Sequence, residues 1–414
     1  MGAVLGRIEV AESLALRSVE VEIRRPVHIG NAPPARESPG RQGRHLLPFP
    51  GADSGGNLLS DESLEQLRAE IDSLNLELLH LLNRRAELAL QIGQRKAELG
   101  LAAFDPTRES AMLEQILENN RGPFPDAAIQ SLFKEVFKAS LDLMNKRHRQ
   151  SLLVSRWCRR DNTVVEVGGV RLGADLGVLI AGPCSVEGVE QLEEVAAHLA
   201  RRGVRLIRGG AFKPRTSPYS FQGLGQQALT MLSQVARRHG LAVVTEVLDP
   251  RDLEVVLECA DVLQIGARNM FNYPLLQEVG RTRTPILLKR SFQATLEELL
   301  LSAEHVMSQG NDQVILCERG IRTFERWTRS TLDISAVPLL KQESHLPVVV
   351  DVSHAAGRRD ILAPLARAAL AAGADGLMLE VHSNPAVALS DGEQQLDLPG
   401  FDRLLESLGL PGPG

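Results

Sequence analysis

The sequence has no long hydrophobic run, although 43% of its 414 residues are hydrophobic. Its longest apolar stretches are strand-sized, such as residues 348–350, whereas a membrane-spanning helix needs roughly 18 or more apolar residues. The first 20 residues also lack a basic start followed by a continuous apolar segment, the pattern of a secretory signal. We therefore expect a cytoplasmic protein without a membrane partner.

Paired cysteine spacing and an excess of positive charge are also missing. The four cysteines have no paired spacing, which favours a reducing compartment over a disulfide framework. The 46 Lys and Arg residues are outnumbered by 52 Asp and Glu residues, giving a formal net charge of -6. This balance argues against nucleic acid as the main partner. Cationic residues that serve function must therefore be concentrated locally.

Composition and periodicity divide the chain into segments. Residues 1–60 are rich in Pro, Gly and Arg, and we expect a mostly disordered extension. The alternatives are a docking or regulatory tail, or an over-extended reading frame. Residues 61–149 have a helical pattern, and residues 162–414 alternate strand-like and helix-like stretches. Residues 150–161 are the predicted linker.

The helical segment repeats apolar residues at alternating steps of three and four from Leu64 onward. It predicts a long helix over residues 61–96, with Asp61 as a possible N-cap, and shorter helices near residues 105–119 and 126–149. A helix of that length spans about 50 Å, more than the breadth of a small domain. We therefore predict a homodimer in which the long helices pair, or a homotetramer built from such dimers.

Two cationic residues interrupt the apolar face of this long helix. Arg85 occupies the next step of the seam, and Lys96 lies three turns further along. A buried, unpaired guanidinium is costly, so one interpretation is a small cavity for an anionic ligand. The other is a buried specificity device in a coiled coil, or a side chain that reaches out to water.

The third segment begins with a predicted hairpin that turns at Gly168 and Gly169. Eight predicted strands follow it: residues 178–181, 205–208, 242–247, 262–265, 286–289, 313–317, 348–351 and 376–380. Eight βα units in about 250 residues predict a TIM (β/α)8 barrel, whose base the hairpin would cap. The alternative, a doubly wound open sheet, would have one phosphate-binding loop and its chemistry at a single switch point.

An unusual polar residue follows almost every predicted strand. From the first strand to the eighth, these residues are Cys184, Arg208, Glu246, Arg268, Lys289, Arg319, His354 and Glu380. The carboxyl ends of barrel strands converge on one mouth, where active sites lie. Any one of the eight could be an ordinary surface residue, but coincidence at all eight strand ends is improbable.

Four of the polar residues in this segment have the chemistry of metal ligands. They are Cys184, His354, Glu380 and Asp391. A thiolate, an imidazole and two carboxylates suit one Mn²⁺, Fe²⁺, Co²⁺ or Zn²⁺ ion better than Mg²⁺ or Ca²⁺. Outside a barrel, a buried structural Cys184 would be the favoured interpretation.

Seven cationic residues also lie near the predicted strand ends. They are Arg208, Lys213, Arg215, Arg268, Lys289, Arg290 and Arg319. They could share a pocket only if anions neutralised them, and phosphates with a carboxylate would do so. Some of them, Arg290 above all, could instead pair with a neighbouring Glu or Asp. We therefore expect a phosphorylated, doubly anionic substrate.

Residues 162–408 closely resemble the 3-deoxy-D-arabino-heptulosonate 7-phosphate (DAHP) synthases of the shikimate pathway. The motifs that carry the resemblance are GPCSVEG, RGGAFKPRTSPYSFQGLG, QIGARN, LLKR, CERGIRTFE, DVSHAAGRRD and EVHSNPAVALSDGEQQL. The resemblance implies that phosphoenolpyruvate condenses with erythrose 4-phosphate and that phosphate is released. The metal would polarise the aldehyde carbonyl as a Lewis acid.

The same resemblance implies roles for individual residues. It makes Cys184, His354, Glu380 and Asp391 the metal ligands, and Arg215 and Thr216 the erythrose 4-phosphate contacts. It assigns phosphoenolpyruvate to Arg208, Lys213, Ala267, Arg268, Lys289 and Arg319. Lys213 is the candidate acid for the aldehyde oxygen, with Arg208 and His354 as the other catalytic residues. The group that activates the attacking water stays unassigned.

The sister enzyme 3-deoxy-octulosonate 8-phosphate synthase, which uses arabinose 5-phosphate, is the alternative for the barrel. It has an Asn-containing loop where this chain has KPRTS, and its metal-free versions have Asn in place of the cysteine ligand. Pro214, Arg215, Thr216 and Cys184 therefore favour the four-carbon aldose.

The run LRAEIDSLNLELLHLLNRRAELALQIGQRK, which begins at Leu67, resembles the first helix of the all-helical chorismate mutases. The resemblance implies that Arg85, with Arg68 of the other subunit, holds the carboxylates of chorismate, and that Lys96 faces its ether oxygen. Further residues of the site would be Asp105, Arg108, Glu109, Ser140 and Met144. Fusion of such a domain to the barrel is itself a family arrangement.

Met144 departs from the family pattern, which places Gln or Glu there as a second donor to the ether oxygen. A thioether cannot donate a hydrogen bond, and losing one such donor costs on the order of 10² to 10³ in rate. Two interpretations stay open: a working mutase, or a module that binds chorismate or prephenate and regulates the barrel.

Overall fold

A computed structural model describes residues 58–99, 101, 104–213 and 219–409 of the chain. Nearly all of the predicted disordered extension, and both Arg215 and Thr216, lie outside the described residues. The chain divides into two compact units, residues 1–71 and 72–414, and the contacts given below lie within the second. Among the described residues, no helix is both long and apolar enough to cross a membrane.

Three helices form the amino-terminal part of the described chain. They are α1 (Leu58–Glu98), α2 (Pro106–Glu118) and α3 (Asp126–Ser151). The three predicted helices are confirmed, but α1 has 41 residues and begins before Asp61, so the N-cap assignment for Asp61 is wrong. The Asp105 carboxylate caps α2 instead, by accepting a hydrogen bond from the backbone N–H of Arg108 at 3.0 Å.

A hairpin and a closed barrel follow, as predicted. The hairpin strands are β1 (Val165–Val167) and β2 (Val170–Leu172), which pair antiparallel. The barrel strands are β3 (Val178–Gly182), β4 (Leu206–Arg208), β5 (Ala242–Glu246), β6 (Val262–Ile265), β7 (Ile286–Lys289), β8 (Val314–Glu318), β9 (Val348–Asp351) and β10 (Gly376–Glu380). All eight are parallel and run in chain order, and β10 pairs with β3 to close the barrel. The TIM barrel is therefore confirmed, and the open sheet is wrong.

Helices separate the strands and pack outside them. They are α4 (Val189–Arg201), α5 (Gln226–Arg238), α6 (Leu253–Leu257), α7 (Tyr273–Gly280), α8 (Leu296–Met307), α9 (Ala336–Glu343), α10 (Val352–Ala356), α11 (Leu362–Ala371) and α12 (Leu398–Leu408). Each longer helix turns an apolar face inward; Leu229, Leu232 and Val235 of α5, for example, are buried. The start of α8 carries a capping box between Thr295 and Glu298.

The buried apolar side chains form two clusters. The larger one lies between the strands and the surrounding helices, and includes Leu192, Leu263 and Phe401. The smaller one fills the barrel and continues into the hairpin through Val165 and Leu172, both fully buried. The hairpin therefore caps the base of the barrel. The active site of such a barrel is expected at the other end, where the strands finish.

The predicted linker is fixed to the barrel by specific hydrogen bonds. The backbone N–H groups of Leu153 and Val154 donate to the two carboxylate oxygens of Glu304 on α8, both at 3.0 Å. The Arg156 guanidinium donates to the carbonyls of Lys341 and Ser344, at the end of α9. Residues 152–161, named the connector from here on, thus belong structurally to the barrel.

His345 also holds the connector. Its Nε2 lies 2.7 Å from the carbonyl oxygen of Leu153, and its Nδ1 lies 2.8 Å from the hydroxyl of Thr163. Because a carbonyl only accepts, Nε2 carries the hydrogen, and Nδ1 accepts from Thr163 in the neutral ring. Burial lowers the pKa of His345, and the nearby Arg159 and Arg156 lower it further.

Candidate active site

The carboxyl ends of the barrel strands surround a cavity of about 620 Å³. Six of the eight predicted strand-end residues line it: Arg208, Glu246, Arg268, Lys289, Arg319 and His354. Lys213, Ala267 and Asp391 line it as well. The remaining two, Cys184 and Glu380, are buried beside Asp391. Closure of the barrel thus brings together side chains that lie far apart in the sequence.

Three of the four predicted metal ligands form a tight group. The sulfur of Cys184 and one carboxylate oxygen each of Glu380 and Asp391 lie within 4.8 Å of one another. Cys184 lies two residues after Gly182, whose φ is 150°. A Cβ on Gly182 would collide with the carbonyl oxygen of Arg208. This glycine lets β3 approach β4 closely just before the thiol.

His354 lies at the edge of this group rather than inside it. Its Nε2 is 3.6 Å from Oε1 of Glu380, while Nδ1 is 2.8 Å from Oδ2 of the buried Asp351. Asp351 also accepts from the backbone N–H of His354 at 3.0 Å, so it caps α10. A carboxylate on one ring nitrogen, with the other facing the ligands, is typical of a metal-binding histidine.

Burial and neighbouring charges shift the pKa values of three of the predicted ligands. Burial raises the pKa of the Cys184 thiol to about 11, and the Glu380 charge adds to the effect. Burial also opposes charge on Asp391, but Arg329 outweighs it and lowers that pKa to about 2. Burial lowers the pKa of His354 and favours the neutral ring. The thiol would therefore have to give up its proton when an ion binds, whereas the neutral imidazole and the two carboxylates already have the protonation states of ligands. This donor set suits a borderline divalent ion.

Four cationic side chains of the cavity are buried: Arg208, Lys213, Lys289 and Arg319. Arg208 donates from Nη1 to the carbonyl of Pro183 at 2.8 Å and to Oε1 of Glu380 at 2.7 Å. Its Nε is buried without a hydrogen-bond partner. Since burying an unpaired donor is costly, this nitrogen indicates that an anionic ligand completes the site.

The other three buried cations each have a defined partner. Lys213 Nζ donates to the backbone oxygen of Cys184 at 2.6 Å and lies 3.1 Å from its sulfur. Lys289 Nζ lies 2.5 Å from Asp351 Oδ2. Arg319 donates to the hydroxyl of Ser330 at 2.8 Å. These contacts hold the three side chains at the cavity wall.

Arg290 does not belong to the cavity. Its guanidinium pairs with Glu318 and Asp333, both at 2.9 Å. The alternative considered for it, pairing with neighbouring acids, is therefore correct. Conversely, the cavity contains Phe292, Arg322 and Arg329, which the pattern of strand ends does not predict. They come from loops, where strand periodicity gives no signal, although Arg322 lies in the conspicuous run CERGIRTFE.

The helical part brings together some of the residues expected there. Arg85 Nη1 donates to the Ser140 hydroxyl at 2.5 Å, and its guanidinium lies over the Phe137 ring, 4.9 Å from the centroid. Met144 packs near Gly93 of α1, where an added Cβ would come within 2.9 Å of the methionine methyl group. Lys96 and Glu109 are partly buried, whereas Arg68, Asp105 and Arg108 are exposed. Asp105 acts as the α2 cap.

Comparison with family models assigns the barrel. Residues 158–409 match the model described as the DAHP synthetase I family. The chain belongs to the DAHP synthetase I family. Residues 67–145 match the model described as chorismate mutase type II. The chain is thus an enzyme in which a DAHP synthase barrel follows a helical domain of the chorismate mutase type.

The chain is similar to heptonate aldolases and, at lower identity, to octonate aldolases. A phospho-2-dehydro-3-deoxyheptonate aldolase from Thermotoga maritima is 55% identical over 256 residues, which is 62% of this chain and 76% of that protein. A crystal structure described as this Thermotoga maritima enzyme matches with a TM-score of 0.61 at 54% identity, over 62% of this chain and 76% of the other. A 2-dehydro-3-deoxyphosphooctonate aldolase from Syntrophobacter fumaroxidans is 34% identical, over 59% of this chain and 90% of its own.

Proposed function

We propose that the barrel condenses phosphoenolpyruvate with D-erythrose 4-phosphate to DAHP and phosphate, in a metal-dependent reaction. The observation that carries this proposal is the buried Arg208, whose Nε has no partner and whose Nη1 contacts Glu380 of the ligand group. An anion bound there would lie directly beside the metal site. The 34% identical octonate aldolase supports the runner-up, the eight-carbon sister reaction.

The proposed substrate contacts of the cavity residues differ with their depth in the cavity. Arg208, Lys289 and Arg319 are buried at the cavity wall and would hold the phosphate and carboxylate of phosphoenolpyruvate through forked and point-charge contacts. Ala267 and the exposed Arg268 would contact the same substrate nearer the opening. Arg215 and Thr216 are proposed for erythrose 4-phosphate on the resemblance alone.

Lys213 is the proposed acid for the aldehyde oxygen. Its ammonium group lies 3.1 Å from the Cys184 sulfur, so it would reach a carbonyl held against the ligand group. A divalent ion held by Cys184, His354, Glu380 and Asp391 would make that carbonyl more electrophilic. Arg208 holds Glu380 in place, and Asp351 holds His354, so the surrounding charges are fixed before substrate arrives.

The test is an assay of the purified full-length chain with phosphoenolpyruvate and either erythrose 4-phosphate or arabinose 5-phosphate, following phosphate release. Chelator treatment and re-addition of Mn²⁺, Fe²⁺, Co²⁺ or Zn²⁺ are run in parallel. We expect chelator-sensitive turnover that prefers the four-carbon aldose. A preference for arabinose 5-phosphate would assign the sister reaction, and turnover that resists the chelator would contradict the metal role.

For the helical domain we propose binding of chorismate or prephenate, with conversion of chorismate to prephenate as its reaction. The paired Arg85 and Ser140, partly buried against Phe137, support an anion site of this kind. Arg68, Lys96, Asp105, Arg108 and Glu109 are its further proposed residues. Loss of chorismate absorbance in the presence of the full-length chain would test the reaction, and an inactive but ligand-binding chain would favour a purely regulatory module.

We also propose that ligand binding in the helical domain inhibits the barrel, with the connector as the route. Its fixed hydrogen bonds to α8 and α9 support such a route. Exposed leucines on α1, among them Leu74, Leu78 and Leu81, support pairing of the long helices in a homodimer, or in a homotetramer of two such pairs. Mass measurement in solution separates these states. The four unpaired cysteines support a cytoplasmic location.

The domain division follows the same proposal. Residues 61–149 would form the chorismate mutase domain and residues 162–414 the synthase barrel, with residues 150–161 as the linker between them. The partners would be the small-molecule substrates and a second copy of the chain, with no nucleic acid or membrane.

A further inference from the structure

Arg329, in the loop between β8 and α9, contacts Asp391, one of the predicted metal ligands. Its Nη1 lies 3.1 Å from Oδ2 of Asp391 and donates to Oε1 of Gln394 at 2.9 Å. Neither Arg329 nor Gln394 has a part in the proposed reaction. Both side chains nevertheless contact the groups that would hold the ion.

Gln394 connects Arg329 to a second predicted ligand, Glu380. Its Nε2 donates to Oε2 of Glu380, while its Oε1 accepts from Arg329. A flipped amide would place an oxygen against the Glu380 carboxylate and an NH₂ group against the guanidinium, and both contacts would be repulsive. Arg329 therefore fixes which way Gln394 faces, and Gln394 in turn orients Glu380.

Asp391 has a backbone conformation that needs support. Its φ is 51°, and it is the one non-glycine residue with positive φ in the part of the chain that the structure describes. Such a conformation is unfavourable for a residue with a Cβ, so it needs support from the surrounding contacts. The carboxylate of Asp391 has two such contacts, Arg329 and the Cys184 sulfur at 3.4 Å.

The backbone around Arg329 is itself tied to the rest of the site. The N–H groups of Arg329 and Ser330 donate to the carbonyls of Ala356 and Ala355, at the end of the helix that carries His354. The Ser330 hydroxyl accepts from Arg319 at 2.8 Å. The backbone of Arg329 is therefore fixed relative to the helix that carries His354.

We propose that Arg329 and Gln394 are positioning residues that hold Asp391 and Glu380 in the geometry the divalent ion requires. This inference rests on the proposed metal-dependent function. Hydrogen-bond partners behind metal ligands commonly contribute 10-fold to 100-fold in ion affinity. We expect the loss of either side chain to weaken the affinity for the ion by 10-fold to 100-fold.

The sign of the effect separates positioning from simple charge. A guanidinium so close to Asp391 repels a bound cation, so as a charge alone Arg329 weakens binding. Neutralising it would then tighten binding. If Arg329 acts by positioning, its removal loosens binding despite the lost repulsion. Arg329→Lys keeps the charge but loses the planar fork, and is therefore expected to bind the ion more weakly as well.

The test uses the purified full-length chain, stripped of metal and titrated with Co²⁺ against a chromophoric chelator. The variants are Arg329→Lys, Arg329→Gln and Gln394→Leu, and Arg326→Gln is the matched control on the same loop. Two readouts are followed: the dissociation constant, and the Co²⁺ spectrum, whose sulfur-to-metal band reports Cys184 and whose d–d bands report geometry. Unfolding temperatures of the metal-free proteins show that each variant is folded.

We expect 10-fold to 100-fold weaker Co²⁺ binding and altered d–d bands in the three variants, with the control unchanged. Wild-type affinity and spectrum in Arg329→Lys and Gln394→Leu would overturn the inference. Tighter binding by Arg329→Gln would do so too, and would leave Arg329 a simple charge. Failure of the wild-type chain to bind Co²⁺ would instead overturn the metal dependence of the proposed function, and the inference with it.

Discussion

The ammonium group of Lys289 lies 2.5 Å from Oδ2 of Asp351, and both side chains are buried in the barrel mouth. The same carboxylate lies 2.8 Å from His354 Nδ1. One buried acid therefore neutralises a proposed substrate-binding cation and orients a proposed metal ligand. The pKa of Asp351 is held well below its usual range: burial opposes the charge, but His354 and Lys289 outweigh it.

Asp351→Asn is expected to destabilise the fold because it leaves Lys289 buried without a counter-charge. Breaking one partner of a buried pair costs about 3–5 kcal/mol, measurable as a loss in the free energy of unfolding in urea. Asp333→Asn is the matched control, because Arg290 keeps its second partner, Glu318. Equal losses in the two variants would contradict the special role of Asp351.

Met144→Gln is expected to raise chorismate mutase turnover. The new amide would supply the donor that the thioether cannot, and such a donor contributes on the order of 10² to 10³ in rate. The initial rate of chorismate loss is the measurement. Met144→Leu, which keeps the packing near Gly93 without a donor, should behave like the wild type. No gain in Met144→Gln would make Met144 a packing residue only.

Glu304→Gln is expected to weaken inhibition of the barrel by prephenate, while turnover without prephenate stays unchanged. The substitution removes the charge that holds the N–H groups of Leu153 and Val154. Coupling between sites usually amounts to about 1–3 kcal/mol, and a looser connector transmits less of it. Maximal inhibition at saturating prephenate is the measurement.

The control for this variant lies on the same helix. Glu297 lies 4.0 Å from Arg149, and both side chains are about half exposed. Glu297→Gln should therefore leave inhibition as it is. Unchanged inhibition in Glu304→Gln would exclude the connector as the route.

His345 should make the fold less stable in mild acid. Its pKa is lowered in the folded chain, so between that value and the unfolded value of about 6.5 the unfolded chain binds more protons. Stability contributed by the neutral ring is therefore present above pH 6.5 and is lost as the pH falls below it. His345→Gln, which offers an N–H and an oxygen without titrating, is expected to show a smaller fall in unfolding temperature between pH 7.5 and 5.5.

The comparison between His345→Gln and the wild type isolates this one residue from other titrating groups. The control substitution is His239→Gln. The Nε2 of His239 lies 2.7 Å from a carboxylate oxygen of Glu193. Identical pH dependence in the wild type and His345→Gln would show that the ring protonates without cost.

The barrel was predictable because its strands are short, mostly apolar runs that are almost entirely buried. The carboxyl ends of strands in a closed barrel all lie at the same mouth. Cys184, Lys289 and Glu380 could therefore be grouped before any contact was known. The length of α1 and the seam that contains Arg85 were likewise visible in the periodicity.

What the sequence did not predict depends on loops and on backbone geometry. Arg329 reaches Asp391 from a loop whose path no periodicity specifies. The left-handed conformation of Asp391 has no local sequence signal apart from the glycine that follows it. Pairing of Glu304 with the connector joins residues about 150 positions apart, and only packing brings such residues together.

The connector has a practical consequence for separating the two halves of the protein. Homology to the barrel family begins at residue 158, yet the first backbone groups bonded to the barrel are those of Leu153 and Val154. A cut at the homology boundary would strip Glu304 of two donors and His345 of its acceptor. An independently stable barrel should therefore start at Leu152, where α3 has just ended.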